Sequence, residues 1–152
     1  MSTKPLLNYT TTIDVSKTLG EIMGMLAGAG ARSLQVDYEA GSPVGIQFLI
    51  ATKFGDRGFE LPADVERVWK VLLRQNEQGR VQRRFTTREQ AARVAWRIIK
   101  DWLEAQLALI EAGMVDLPEV MLPYMLHESG KTVYQMMEAQ QFKALPPGTA
   151  GR

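Results

Sequence analysis

Cysteine is absent from the chain, and histidine occurs once, as His127. Without thiols the chain forms no disulfide, thiolate nucleophile or cysteine zinc site. A single histidine cannot build a multi-histidine metal site, and we expect His127 to cap a helix end. A metal-dependent nuclease would need a carboxylate two residues before Lys53, where the sequence has Ala51. No serine lies in a nucleophile-elbow motif, so we predict no metal, no cofactor and no enzymatic activity.

Long apolar segments and a strong net charge are also absent. No apolar run is long enough to span a membrane, and the N-terminal sequence MSTKPLLNYTT lacks the apolar centre of a secretion signal. These absences favour a cytoplasmic protein that does not bind membranes. With 45% apolar residues and a net charge of +1, the chain has the composition of an ordinary globular domain. We expect one domain, residues 1–142, and a Pro/Gly-rich tail, residues 143–152.

Strand patterns dominate residues 8–61. Residues 8–15, NYTTTIDV, are rich in threonine and predict a first strand, and a helix over residues 16–27 follows. Residues 32–39 and 44–52 alternate apolar and polar side chains on either side of a turn, which predicts a β-hairpin with one buried face. Residues 58–61 predict a short last strand. The order β-α-β-β-β predicts an α+β fold, in which a small, mostly antiparallel sheet of three or four strands carries a helix on one face.

Helical patterns dominate residues 62–142. A first helix, starting near Pro62 and Asp64 and ending near residue 75, has its apolar side chains on one face. Residues 87–113 predict one long helix, with Thr87 as N-cap, Gln90 three residues later and Gly113 as C-cap. Its apolar arc exceeds half the circumference, so we expect the N-terminal half to cover one side and the C-terminal segment or a partner to cover another. Shorter helices are predicted over residues 117–127, kinked by a proline, and over residues 131–142.

Charge is segregated along the chain. Residues 70–100 contain nine lysines and arginines against two glutamates, whereas residues 101–142 contain seven acids against one lysine. The arginines cluster on a connection and on the start of the long helix, where guanidinium forks and the helix dipole both favour phosphates. Phe85 lies among them, where its ring is placed to stack on a base. The predicted nucleic-acid-binding residues are Arg80, Arg83, Arg84, Phe85, Arg88, Arg93 and Arg97.

Two alternatives do not involve nucleic acid. The basic residues could form only a solvated helix face, since Arg97 and Asp101 have the i,i+4 spacing of an ion pair. Methionines crowd the C-terminal third, where they either fill the core or offer an adaptable surface to a protein partner or a second copy. The predicted protein-interface residues are Trp96, Leu107, Met121, Met125 and Met136.

Five segments follow one another along the chain: IDVSKTLGEIMGMLAGAGA, VGIQFLI, FELPADVERVWKVL, ARVAWRIIKDWLEAQLALIEAGMV and LPEVMLPYML. This succession resembles small uncharacterised proteins encoded by phages, prophages and other mobile elements. The resemblance covers roughly Ile13 to Met137 and transfers no site residue. It implies an accessory of DNA replication or recombination, or an inhibitor of host defence. We therefore predict a non-enzymatic nucleic-acid-binding accessory protein whose ligand is DNA or RNA. The alternative is a protein-binding module, such as an anti-defence inhibitor or a small subunit of a larger complex.

Overall fold

A computed structural model describes residues 4–148, in which the helices cover one face of a three-stranded sheet. Two 3-10 turns, Arg83–Phe85 and Leu122–Tyr124, interrupt the helical part. The elements, in chain order, are α1 (Val15–Gly28), β1 (Ala31–Glu39), β2 (Ser42–Thr52), β3 (Gly55–Pro62), α2 (Val65–Glu77), α3 (Arg88–Glu111), α4 (Leu117–Met121) and α5 (Val133–Ala139). The prediction of an α+β fold with one long helix is confirmed.

The sheet is an antiparallel meander in the order β1-β2-β3. Alternation along the strands places Leu34, Phe48 and Phe59 opposite one another on the same face. The rings of Phe48 and Phe59 stack with their centroids 5.2 Å apart. This face packs under the helices because burying its apolar side chains stabilises the fold, and the other face carries polar residues such as Gln35 and Gln47.

The predicted first strand over residues 8–15 is wrong, since Val15 already begins α1 and the residues before it form turns and irregular chain. Residues 6–11 instead form a strap across α2 and α3. The backbone N–H of Leu6 donates to Oε1 of Gln75 at 2.9 Å, and Nε2 of Gln90 donates to the carbonyls of Tyr9 and Thr11, both at 2.9 Å. Two buried glutamine side chains therefore satisfy backbone groups that a neighbouring strand would otherwise pair.

Helix α3 packs against α1, α2 and α4. Its ends follow the predicted signals: Oγ1 of Thr87 accepts a hydrogen bond from the N–H of Gln90 at 3.0 Å, and Gly113 has a left-handed φ of 74°. Its wide apolar arc is covered further by α2 and the strap, and by the predicted C-terminal segment, where the ring of Tyr124 meets that of Trp102 edge to face at 5.4 Å. Asn8 on the strap donates to Oδ2 of Asp101 at 2.8 Å, which fastens the strap to the middle of α3.

Two apolar clusters meet along α3. The main core joins α1, the buried sheet face and the middle of α3, where Trp96 and Leu103 are fully buried. A smaller cluster of Leu72, Val81 and Ala91 joins α2 to the start of α3, and side chains of the strap pack against it. The smaller cluster supports the connection between α2 and α3, where most of the predicted arginines lie.

The predicted helix over residues 117–127 begins at Leu117 as expected but is shorter, because α4 ends at Met121 and a 3-10 turn containing Pro123 follows. A proline cannot donate a helical hydrogen bond, so the chain leaves the helix there. The N–H of Leu126 then donates to the carbonyl of Gly58 at 2.8 Å, and Met125 bridges to Phe59. This segment closes the outer edge of β3, while the outer edge of β1 pairs with no strand within residues 4–148.

His127 does not cap a helix end. Its N–H donates to the carbonyl of Lys131 at 2.8 Å, and its ring Nδ1 accepts the N–H of Ser129 at 3.1 Å. The histidine therefore shapes the tight turn that leads into α5, which is shorter than predicted and ends at Ala139. Residues 149–152 of the predicted tail lie outside the described residues.

Candidate nucleic-acid interface

The connection between α2 and α3 is held by backbone hydrogen bonds. Gly79 adopts a φ of 74°, and the N–H of Arg80 donates to the carbonyl of Gln75 at 2.8 Å, which ends α2 in a tight turn. The guanidinium of Arg80 bonds to the side chain of Gln78. The Arg83–Phe85 turn follows and leads directly into α3, so the arginines project from a defined backbone.

Arg83 and Arg84 are exposed on this turn. The guanidinium of Arg84 lies over the ring of Phe85, 4.7 Å from its centroid, and Nε donates to Oε1 of Gln82 at 3.2 Å. Phe85 itself is half-buried against the smaller cluster and meets the ring of Tyr9 edge to face at 5.4 Å. The aromatic ring therefore anchors the turn and holds one arginine in place.

Arg88 begins α3 and joins the turn to α2. Its guanidinium lies 4.4 Å from the centroid of the Trp69 ring, and Nε lies 3.2 Å from Oε1 of Glu66. The indole N–H of Trp69 donates to the carbonyl of Thr86 at 2.7 Å. These contacts fix the start of α3 to the outer side of α2.

Arg93 and Arg97, which we predicted as phosphate contacts, lie against carboxylates between α1 and α3. Arg97 pairs with Glu21 at 2.7 Å, and only 16% of its side chain is exposed. Arg93 pairs with Glu89 at 2.6 Å and approaches Asp14 at 3.6 Å. The contacts with Glu21 and Asp14 tie α1 to α3, and the contact with Glu89 lies within α3. The two arginines therefore present less exposed charge than the turn does.

Helix α2 adds three cations that our predicted set omitted. Arg67, Lys70 and Arg74 are exposed and recur at i, i+3 and i+7, so they share the face of α2 that points away from Leu72 and the cluster. Their i, i+3, i+7 spacing is a signal that the sequence itself carries. The basic surface is hereafter the set Arg67, Lys70, Arg74, Arg83, Arg84 and Arg88.

The predicted protein-interface residues differ in how deeply they are buried. Trp96 and Met121 are fully buried in the main core, so they are not available to a partner, and this part of the prediction is corrected. Leu107, Met125 and Met136 are half-buried. The apolar side chains that the C-terminal part does expose are others, namely Leu122, Tyr134, Phe142 and Leu145.

A cavity of about 1040 Å³ is an open groove where the first turns of α1, α2 and α3 meet the turn between β1 and β2. Five carboxylates line it together with Arg88 and Arg93. Within residues 4–148, however, no three His, Asp or Glu side chains are grouped closely enough to hold a metal ion. The lining carboxylates are Asp14, Glu39, Asp64, Glu66 and Glu89.

Lys53 lies in the turn between β2 and β3, where its Nζ donates to Oδ2 of Asp116 at 2.9 Å. This hydrogen bond, reinforced by the charge of the same carboxylate, raises the pKa of Lys53 above its usual value. The pair ties the hairpin to the start of α4, which is a structural role.

Comparisons with protein-family models, with curated proteins and with solved structures found no match for this chain. Among the helices of residues 4–148, none has both the length and the apolar character needed to cross a membrane.

Proposed function

We propose that this protein is a non-enzymatic nucleic-acid-binding accessory of a phage or other mobile element, acting in the cytoplasm and contacting the phosphate backbone through the basic surface. The observation that carries the proposal is the exposed pair Arg83 and Arg84 on a turn held by hydrogen bonds and apolar packing. The resemblance to proteins of mobile elements supports the same context.

The chemistry of the basic surface suits phosphate groups. Guanidinium groups bind phosphate oxygens with two parallel hydrogen bonds, and a fixed backbone lowers the entropy lost on binding. Three acids, Asp64, Glu66 and Glu77, lie on or beside α2 against the six cations, so the surface keeps a positive balance. Binding through such contacts weakens steeply as salt increases, because the protein displaces counterions from the nucleic acid.

The test is fluorescence anisotropy with labelled oligonucleotides at two salt concentrations, comparing the native protein with the double variant Arg83→Ala/Arg84→Ala. We expect the variant to bind at least about tenfold more weakly. We also expect the slope of its affinity against salt concentration to fall by the equivalent of about two phosphate contacts. Arg57→Ala is the matched control, since Arg57 is an exposed arginine on β3. Unchanged affinity in the double variant would reject the proposal.

A protein-binding module, such as an anti-defence inhibitor or a small subunit, is the second candidate. The exposed apolar side chains Leu122, Tyr134 and Phe142 favour it. Tyr134 lines a cleft of about 300 Å³, and its ring lies 5.8 Å from that of Phe142. Sedimentation velocity at moderate salt tests for a homodimer on this surface. A monomer at every concentration would count against self-association.

A further inference from the structure

The sheet has two outer edges, and residues 4–148 cover only one of them. At β3, the N–H of Leu126 donates to the carbonyl of Gly58 at 2.8 Å and Met125 bridges to Phe59, so the C-terminal segment closes that edge. At β1, no strand of the described chain pairs with the outer side, and β1 packs mainly on β2 and α1. Alternate backbone N–H and C=O groups of β1 therefore point outward, where they can pair with another strand.

The central residues of β1 lack two common features that keep sheet edges apart, lysine and proline. The register of β1 against β2 is regular over residues 33–37, SLQVD, between a register shift at each end. Leu34 and Val36 are only half-buried, whereas Phe48 and Ile46, their partners on β2, are 2% and 0% exposed. A further strand beside β1 would cover the apolar area that Leu34 and Val36 still expose.

The regular part of β1 is complementary to a second copy of itself in antiparallel orientation. Directly opposite residues of an antiparallel pair have their side chains on the same face. Pairing all five regular residues sets Gln35 opposite Gln35 of the second copy, Leu34 opposite Val36, and Ser33 opposite Asp37. Apolar side chains then meet apolar ones, and no carboxylate faces another. Centring the pair on Asp37 would instead place two carboxylates opposite each other, which is unfavourable.

The charged ends of β1 also favour the antiparallel orientation. Arg32 lies at one end and Glu39 at the other, and both are exposed. The Arg32 guanidinium contacts Asp56 at 3.0 Å, yet 62% of its side chain remains exposed. Antiparallel pairing brings Arg32 of each copy toward the end of β1 that carries Glu39 in the other copy. Parallel pairing would bring like charges together.

We infer that two copies of this chain associate edge to edge through β1, in an antiparallel pair centred on Gln35, and so form a continuous six-stranded sheet. The same residues of both copies make the contact, as in other two-fold dimers. This inference goes beyond the proposed function and does not depend on it. Its surface also differs from the exposed apolar side chains Leu122, Tyr134 and Phe142.

Disulfide crosslinking tests the register of the pair. The native chain has no cysteine, so Gln35→Cys introduces a single thiol, at an exposed position opposite itself across the two-fold axis. Opposite Cβ atoms of an antiparallel pair are about 4.5–5.5 Å apart, and a disulfide spans about 3.5–4.5 Å. We expect mild oxidation of dilute protein to crosslink Gln35→Cys at least about tenfold faster than Arg57→Cys, the control at an exposed position on β3.

Sedimentation equilibrium of the full chain tests the pairing of Ser33 with Asp37. Ser33→Asp sets a carboxylate opposite Asp37 of the second copy, twice by symmetry, and we expect the dissociation constant of the dimer to rise at least about tenfold. Ser33→Asp/Asp37→Ser exchanges the two residues and restores one carboxylate opposite one hydroxyl. We expect this variant to return to within about threefold of the native constant. Thermal unfolding confirms that each variant is folded.

Three outcomes would overturn the inference. The first is a native chain that stays monomeric from micromolar to near-millimolar concentration. The second is a dimer that the folded Ser33→Asp variant forms as tightly as the native chain, which would place the contact on another surface. The third is equal crosslinking of Gln35→Cys and Arg57→Cys. The affinity for oligonucleotides is a separate measurement, so the proposed function stands or fails independently of these results.

Discussion

At the scale of single residues, the surroundings of each guanidinium group decide what an arginine contributes. Arg97 is mostly buried and lies 2.7 Å from Glu21, so this ion pair holds α1 against α3. Arg84 is exposed and rests on an aromatic ring, so its outer edge faces solvent. The same residue type, thirteen positions apart in the chain, therefore stabilises the fold in one case and offers a binding group in the other.

Two glycines should respond in opposite directions to the same substitution. Gly24 is inside α1 on its exposed side, and an added Cβ would meet no atom within 4 Å. Gly113 has a φ of 74°, which disfavours any residue with a Cβ. We expect Gly24→Ala to raise the free energy of unfolding by about 0.5–1 kcal/mol and Gly113→Ala to lower it by about 1 kcal/mol. Urea unfolding followed by circular dichroism measures both changes in unfolding free energy, and changes of the same sign would contradict this prediction.

At the scale of elements, the strap shows how irregular chain is fixed without a strand partner. Gln75 and Gln90 are each 6% exposed and supply the hydrogen bonds that the strap needs. Leu6 and Tyr9 pack against the smaller cluster, which adds apolar contact to these polar ones. The strap is therefore part of the support beneath the Arg83–Phe85 turn.

Removing one glutamine should loosen this support. Gln90→Ala deletes both hydrogen bonds to the carbonyls of Tyr9 and Thr11, and we expect a loss of about 1–3 kcal/mol in unfolding free energy because two partly buried carbonyls lose their donor. Limited proteolysis should then cut within residues 4–14 faster than in the native protein. Gln140→Ala, at an exposed position, is the control. Equal cleavage of the native protein and Gln90→Ala would show that the strap is held by packing alone.

Local sequence patterns predict some elements of this fold better than others. The ends of α3 were predictable because Thr87 and Gly113 act on their own backbone neighbours. The strap was not, since its threonine-rich pattern resembles a strand and its partners lie 69 or more residues away in the sequence. In the same way, no local pattern separates Arg97 from Arg84, because only the fold brings Glu21 beside the former.

At the scale of the whole molecule, α3 is the element that belongs to both apolar clusters. Ala91 lies in the smaller cluster, and Trp96 and Leu103 lie in the main core. Helix α5, in contrast, has no buried residue. The described part of the chain thus has a rigid centre, with its most weakly packed helix near the C-terminal end.

Hydrogen exchange should show this difference in packing between α3 and α5. We expect the amides of Val94 and Ala95 to exchange only through global unfolding, because they lie in the most buried part of α3. The amides of Met136 and Met137 in α5 should exchange through local opening, with free energies well below the global value. Native-state exchange measured by NMR in increasing urea tests the difference. Equal protection of α3 and α5 would contradict it.

The strap also has a consequence for the order of events during synthesis. Residues 6–11 are synthesised before Gln75, Gln90 and Asp101, to which they bond and which follow them by 69 to 93 residues. Translation adds about 5–20 residues per second, so several seconds pass before these partners exist. During that interval the strap has no partner to bond to, and the hairpin of β1 and β2 can form before the strap docks. The strap is therefore made before its partners but reaches its final place only after they fold.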